Sequence, residues 1–486
     1  MVQTTSKNIS SFAQEIPWSA MPRTFQDAVS FVRKLSIAYL WIDSLCIIQD
    51  SDLDWQQQSA NMASIYQNAY ITLAATHSAD SSGGCFTSDS LRSTHDYEPL
   101  AILRFHDGTE HNLSFRRTLI RSSQPLLWRG WAYQERILSP RVLHFAGEEL
   151  VWECGTVYDS ESNSHNFKAF FFHSKQDRNI RWGRIVQDYF RRSLTFPSDI
   201  FPALSGIVKV VAAQLQDEYA AGLWKRTIIQ DLLWYFTTRP GSTDLSTTAT
   251  TAEVWRAPSW SWASMTTPAR DLNIQYLPAS QNLAEVTNIV CKPAGADTTG
   301  QLAMAHLTIS AKALLGHLVC SSPPTARHSP YEVIVGNFAI RKSPWYESNE
   351  ATHFGLDSFH HAHQLEPLEV IIVQLAKHTD ITKTHVPWTS EDTETVHEVR
   401  SYMILTRDST DPDHWIRIGL VAIDIVEPAP SLRDDVRDSV QITGEGDLQQ
   451  QQALASFVAE LQQEASLPRQ LTHLFAEAET QEFVVW

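Results

Sequence analysis

One run of ten residues constrains the fold of the N-terminal part of this chain more than any other feature. Residues 39–48 read YLWIDSLCII, which is nearly continuously apolar and rich in aromatic and β-branched side chains. Such a run is typical of a strand that is covered on both faces. It ends in the polar pair Gln49 and Asp50. The pattern therefore predicts a buried strand with a polar carboxyl end.

Helical patterns lie on both sides of this run. Apolar residues recur at helical spacing over residues 25–35 and again over residues 55–69, and residues 70–75 then predict a short strand. Helix, strand, helix and strand in this order predict a parallel sheet with right-handed crossovers. We therefore expect an α/β N-terminal domain.

The rest of the chain changes from helical to strand patterns. Residues 130–136 predict a helical turn, residues 142–145 and 150–153 a β-hairpin, and residues 178–236 a mainly helical segment. Strand patterns then recur at residues 254–264, 303–315, 333–340, 368–375, 402–406 and 415–425, and a helix is predicted at residues 447–464. These patterns predict a domain at residues 21–155, a helical subdomain at 156–240, a β-rich C-terminal domain at 252–430 and a tail at 431–486.

Composition excludes several classes of function. The chain has a formal net charge of −17, which repels nucleic acid and anionic membranes in the absence of a basic patch. No stretch reaches the ~18 consecutive apolar residues of a membrane span. The five cysteines are widely spaced without a CxxC pair, which favours reduced thiols. We expect a cytoplasmic protein without a membrane span or a nucleic-acid partner.

Motifs for cofactors are absent from the sequence. It contains no GxGxxG, GxxxxGK[ST], GxSxG or HExxH, so neither a phosphate-binding loop nor a serine-hydrolase or zinc-protease site is predicted. Four histidines, His353, His360, His361 and His363, lie close together in sequence without a defined ligand spacing. We interpret them as a polar loop, and we predict no metal and no cofactor.

A first group of candidate site residues surrounds the end of the predicted strand. Open α/β sheets bind ligands at the carboxyl ends of their strands, which is where Gln49, Asp50 and Asp54 follow the run. Asp43 lies within the apolar run, and a buried carboxylate there needs a partner. Two readings stay open: these four residues line a site, or Asp43 is paired structurally while Asp50 or Asp54 caps the next helix.

A second polar group lies around residues 131–136. Gln134, Glu135 and Arg136 accompany Trp131, and Arg136 is expected to pair with one of the first group's carboxylates. An ion pair that joins the hairpin to the sheet is the structural alternative to a catalytic role for Glu135. Trp260 and Trp262, two residues apart, are expected to be core or interface anchors.

Several blocks of residues follow one another between residues 21 and 265: PRTFQDA at 22–28, YLWIDSLCIIQD at 39–50, DW at 54–55 with IYQNA at 65–69, RGWAYQER at 129–136 with LSPR at 138–141, YAAGLW at 219–224 and RAPSWSWAS at 256–264. Such blocks in one order make a specific combination. Through them the chain resembles the heterokaryon-incompatibility (HET) domain proteins of filamentous fungi.

The resemblance implies a protein of self/non-self recognition and cell death whose HET domain has been compared with the TIR fold. Some TIR domains cleave NAD with a glutamate, and Glu135 is the glutamate that remains in a family block. Two departures from the family weaken an enzymatic reading. Gln58 stands where the family has a glutamate, and an amide cannot act as a general base. Residues 1–20 also lack the family's first strand. We expect a protein that acts through protein partners; the alternatives are an NAD-cleaving hydrolase and an inert truncated product.

Overall fold

The computed structural model describes most of the chain in two compact units. The described residues are 2–86, 98–105, 107, 109–115, 124–147, 149–161, 178–238, 250–251, 254–266, 270–274, 280–320, 331–336, 338–340, 353–356, 367–385, 392–427 and 470–486. The first unit comprises residues 1–216 and 293–301, and the second comprises residues 217–292 and 302–486.

The first unit combines helices with short strands. Its helices are α1 (Ile9–Phe12), α2 (Arg23–Lys34), α3 (Asp43–Cys46), α4 (Asp52–Gln67), α5 (Gly130–Leu138), α6 (Arg178–Phe190) and α7 (Pro202–Leu215), with 3-10 turns at Trp18–Ala20, Pro125–Trp128 and Pro197–Ile200. Its strands are β1 (Thr72–Ala74), β2 (Glu98–Arg104), β3 (Glu110–Phe115), β4 (Arg141–Phe145), β5 (Leu150–Cys154) and β6 (Tyr158–Ser160). The predicted helices and hairpin of this region are confirmed.

The main sheet of the first unit is mixed rather than parallel. Its strand order is β1-β4-β5-β6. Only β1 and β4 pair in parallel, whereas β4, β5 and β6 follow each other through antiparallel hairpins. The prediction of an all-parallel sheet was therefore wrong, because the turn after Phe145 folds the chain straight back on itself.

The predicted buried strand at residues 39–48 does not form. Residues 39–42 join no ladder in the described structure, and the chain then turns into α3 at Asp43. The Asp43 carboxylate accepts a hydrogen bond from the Ser44 backbone N–H at 2.7 Å, and an acidic residue in the first turn favours a helix. Residues near the N-terminus pack on this helix: Thr4 N–H donates to the Ser44 carbonyl at 2.9 Å.

Three helices of the first unit meet at a glycine. A side chain at Gly206 of α7 would place its Cβ 2.5 Å from the Ala63 Cβ of α4, so only glycine permits this approach. The Gly206 N–H donates to Gln134 Oε1 of α5 at 2.6 Å. Within the described part of the chain, Pro197–Leu215 is long and apolar enough to span a bilayer, and 56% of it is buried in the protein.

The second unit is rich in strands. It contains α8 (Ile228–Asp231) with 3-10 turns at Lys225–Thr227 and Trp262–Ser264, and its strands are β7 (Tyr219–Ala220), β8 (Leu223–Trp224), β9 (Trp234–Thr238), β10 (Thr250–Thr251), β11 (Met265–Thr266), β12 (Arg270–Ile274), β13 (Gln281–Asn282), β14 (Ala284–Pro293), β15 (Leu302–Cys320), β16 (Tyr331–Val335), β17 (Phe338–Ile340), β18 (His353–Leu356), β19 (Leu368–His385), β20 (Asp392–Arg407), β21 (Trp415–Glu427) and β22 (Thr480–Val485). The predicted strands from residue 303 onward are confirmed.

The large sheet of the second unit closes on itself. β15 pairs with β22 at one end and with β19 at the other, while β19, β20, β21 and β22 pair in succession. These five strands form a ring around an apolar core that includes Ile372, Ile404, Val421 and Phe475. Each of these five strands pairs with a neighbour on both sides, which limits the free strand edges that otherwise promote aggregation.

The predicted strand at residues 254–264 was wrong. The segment forms turns and the 3-10 helix Trp262–Ser264, in which the Ser261 side chain accepts a hydrogen bond from the Ala263 N–H. Trp260 and Trp262 are fully buried, which confirms their role as core anchors. The predicted helix at residues 447–464 and three of the clustered histidines, His360, His361 and His363, lie outside the described residues.

Candidate functional site

A cavity of about 720 Å³ in the first unit is the candidate site. It lies between residues 37–43 and residues 69–73, which include the start of the sheet's edge strand β1, and α2, α4 and α5 complete its wall. Tyr39 and Tyr70 line it and are 91% and 67% exposed, so they mark its mouth. Volumes of roughly 300–1,000 Å³ are typical of small-molecule sites.

Glu135 is the most perturbed carboxyl group of this cavity. It projects from α5, and burial raises its pKa to about 7, an effect to which the negative charge of Asp43 adds. The positive charge of Arg129 and a hydrogen bond from the Tyr66 hydroxyl oppose this rise. Glu135 therefore exchanges a proton near neutral pH, which is what a general acid or base requires.

Tyr66 is held against Glu135 from the facing helix α4. Its pKa lies well above the ordinary value, because the ring is desolvated and because the carboxylates of Glu135 and Asp43 disfavour a phenolate. Tyr66 is thus a neutral donor, and its ring meets Trp41 edge to face at 5.6 Å between centroids. Sequence reasoning placed Tyr66 only on an apolar helical stripe and missed Arg129 as a lining residue.

Of the predicted first group, the cavity contains Asp43 alone. Gln49 uses its amide to donate to the carbonyls of Asp43 (3.2 Å) and Ile47 (3.1 Å), and so it fixes the turn after α3. Asp50 accepts hydrogen bonds from Ser6 N–H (2.7 Å) and Ser6 Oγ (2.6 Å), which lower its pKa. Both side chains act here as supports of the backbone.

The reading that Asp50 or Asp54 caps the next helix was wrong, because the cap of α4 is the residue that follows Asp50. Ser51 is the N-cap and accepts a hydrogen bond from the Asp54 N–H at 3.3 Å. The Asp54 carboxylate reaches back to the Ile48 N–H at 2.7 Å, an arrangement related to a capping box. Gln58 donates to Asp54 Oδ1 at 3.4 Å and is not a lining residue of the cavity.

Arg136 does not pair with the first group's carboxylates, so that expectation was wrong. Its Nε donates to Glu153 Oε2 of β5 at 2.9 Å. The reason is helical geometry: Glu135 and Arg136 are adjacent on α5 and project in different directions. Gln134 is buried, and its contact with Gly206 makes it a packing residue. The ion pair joins α5 to the hairpin.

Sequence reasoning missed a second buried polar network. Thr76 Oγ1 lies 3.0 Å from His144 Nδ1, and His144 Nε2 lies 3.0 Å from Glu153 Oε2. Burial lowers the pKa of His144, while hydrogen bonds from His144 and the charge of Arg136 lower that of Glu153. Thr76 is 1% exposed, so a substrate has no access, and the network holds β1, β4, β5 and α5 together.

No group of three or more histidine, cysteine or acidic side chains suited to a metal ion occurs among the described residues. The charged residues that line the cavity are Asp43, Asp80, Arg129 and Glu135, so its net charge is negative even while Glu135 is protonated and becomes more negative when Glu135 ionises. Aromatic rings of Phe25, Tyr39, Trp41, Tyr66 and Tyr70 surround them.

Comparison with known proteins identifies this part of the chain. Residues 2–135 match the family described as heterokaryon incompatibility protein (HET). No curated protein and no solved structure matches the chain, and the resemblance to the TIR fold stays a prediction. Every residue that lines the cavity lies inside the matched segment, with Glu135 at its end. Residues 2–135 of the chain are therefore a HET domain.

Proposed function

We propose that this protein acts in self/non-self recognition during heterokaryon incompatibility and in the cell death that follows. It does so in the cytoplasm, through contacts with protein partners. The observation that carries the proposal is the HET match over residues 2–135, since this segment forms the first unit's cavity and its exposed aromatic mouth.

The surface at the cavity mouth supports a role in protein contacts. Tyr39, the first residue of the family block at 39–50, is 91% exposed, and tyrosine is among the residues enriched in interface hot spots. An exposed aromatic side chain of this kind contributes nothing to the core, so its replacement tests contact rather than stability.

The test is induced expression of the chain in a filamentous fungus, scored by surviving colonies and by cellular NAD. We expect death from the wild-type chain without a preceding fall in NAD, and survival with Tyr39→Ser at an equal protein level. Val254→Ser, which removes a 75% exposed side chain from the second unit, is the matched control and is expected to kill.

Three further results separate the alternatives. If the wild-type chain does not kill and the Gln58→Glu variant does, the protein is a disabled relative, and the proposal is overturned. A fall in NAD that Glu135→Gln prevents would replace protein contact by NAD cleavage. Death that Tyr39→Ser leaves unchanged would remove the proposed contact surface.

A further inference from the structure

The cavity has the lining expected of a binding site for a particular ligand class. Three of its four charged lining residues are acidic, namely Asp43, Asp80 and Glu135, and Arg129 is the single basic one. Aromatic rings form much of the remaining wall. Carboxylates attract a cation, and aromatic faces attract the same cation through their quadrupoles.

We propose that the cavity of the HET domain binds a small organic cation, an amine with an apolar or aromatic body, whose ammonium group pairs with Glu135. This inference is independent of the protein contacts proposed above. The volume of about 720 Å³ accommodates such a molecule.

Glu135 has free acceptor capacity for this role. An ionised carboxylate offers about four lone-pair positions, and the Tyr66 hydroxyl, from α4, takes one of them. The ammonium group of a ligand would donate to the others. Tyr66 and Trp41, which meet edge to face, supply aromatic surface beside it.

The groups around Glu135 set the pH dependence of binding. Asp43 of α3 raises its pKa, whereas Arg129, which precedes α5, and Tyr66 of α4 lower it, and the result is about 7. A cationic ligand favours the ionised form. Its affinity is therefore expected to rise about tenfold between pH 6 and pH 8, and binding at pH 7 is expected to release about half a proton.

The experiment is calorimetric titration of the purified full chain with benzylamine, benzyl alcohol and benzoate, which share a ring and differ in charge. We expect benzylamine to bind with a dissociation constant of about 1 mM or tighter, and the other two to bind at least tenfold more weakly. Titrations in two buffers of different ionisation enthalpy measure the released proton.

Variants test whether Glu135 is the partner. Glu135→Gln keeps the shape of the side chain; it is expected to weaken benzylamine binding about tenfold at pH 8 and to abolish both its pH dependence and proton release. Asp43→Asn is expected to weaken binding and, because Asp43 raises the pKa of Glu135, to move the rise in affinity to lower pH. Asp52→Asn, an exposed carboxylate of α4 outside the cavity lining, is the charge-matched control and is expected to bind as wild type.

The proposal is overturned if benzyl alcohol or benzoate binds as tightly as benzylamine, or if none of the three binds. It is equally overturned if benzylamine binds without any dependence on pH. These comparisons use the wild-type chain, so they hold even if a variant fails to fold, and they are independent of the colony assay.

Discussion

Burial of the Glu135 carboxyl group lowers the stability of the folded chain at the pH values where this group is ionised. Its pKa rises from an ordinary 4.5 to about 7 in the folded chain, mainly through burial. Between these two values the folded state binds more protons than the unfolded state, so stability falls as pH rises through this window and the loss is complete above pH 7.

Replacement of Glu135 by glutamine is expected to stabilise the first unit at alkaline pH. The difference between 4.5 and 7 corresponds to about 3 kcal/mol, which Glu135→Gln recovers at pH 8 but not at pH 4. Thermal melting at both pH values measures this, with ~2–4 °C expected for each kcal/mol. A variant that melts like the wild type at pH 8 would show that Glu135 carries no such cost.

The thiols of Cys154, Cys85 and Cys291 lie in different surroundings and differ in pKa. Hydrogen bonds from Thr156 and from the Val157 N–H lower the pKa of Cys154 to about 7, whereas burial raises the pKa of Cys85 to about 12 and that of Cys291 to about 11. Because the thiolate is the nucleophile, iodoacetamide at pH 7 is expected to label Cys154 first among these three.

Mass spectrometry of the alkylated peptides provides the measurement. Thr156→Val removes the hydroxyl and is expected to slow the labelling of Cys154 several-fold, while the labelling of Cys85 stays unchanged as an internal control. Equal rates for the three cysteines would contradict the role of these hydrogen bonds.

The helices of the first unit could be predicted from the sequence, whereas the strand predicted at residues 39–48 does not form. The helical period over residues 25–35 and 55–69 reports burial of one face, and this is a local property of the chain. A strand, in contrast, requires a partner, and residues 39–42 have none in the described ladders. Apolar composition alone therefore led to a wrong assignment there.

The residues of the candidate site also divide into those that the sequence indicates and those that only the fold brings together. Asp43 was found because a carboxylate within an apolar run is unusual in sequence, and Glu135 was found because it lies in the polar group around Trp131 and in a family block. Both line the cavity. Thr76, His144 and Glu153 form a network at the ends of three neighbouring strands. No pattern in the sequence indicates that these three residues lie close together. Such contacts arise only from the register of β4 with β1 and β5.

That network makes the first unit sensitive to acid. The folded-state pKa of His144 lies below its ordinary 6.5, so the unfolded state takes up a proton first, and stability falls as pH decreases through 6.5. Glu153 acts in the same direction at lower pH, since its pKa is lowered below 4.5. Glu135 acts in the opposite direction between pH 7 and 4.5.

His144→Gln separates these opposing effects. The amide cannot titrate, so the melting temperature of the first unit is expected to rise as pH falls from 7 to 5, because only the Glu135 contribution remains in that range. The same scan on Glu135→Gln is expected to show a steeper fall than the wild type. Parallel pH profiles for the three proteins would refute the assignment to these two residues.

At the scale of the whole molecule, each unit has its own core. The first buries Tyr133, Trp182 and Leu204, and the second buries the interior of its closed strand ring. Chains with separate cores commonly unfold in more than one step. Calorimetry is therefore expected to resolve two unfolding transitions. Variants with a substitution in one unit can show which transition belongs to which unit.

Arg417 is the residue with which to assign the second transition. It is 3% exposed, its guanidinium donates to the carbonyls of Leu232 and Trp234 at 2.6 Å each, and it lies 3.6 Å above the Trp234 ring. Arg417→Met keeps the apolar stem but leaves two buried carbonyls without these donors, at a cost of ~1–3 kcal/mol for each. The second unit's transition is expected to move down by several degrees.

The control for charge is Lys292→Met, which removes an exposed cation from the same unit and is expected to change melting by less than about 0.5 kcal/mol. Arg417→Met should leave the transition of the first unit in place. Glu135→Gln at pH 8 should move only the transition of the first unit. If both transitions shift together in either variant, the two units unfold as one cooperative body, because a loss in one core is then transmitted to the other.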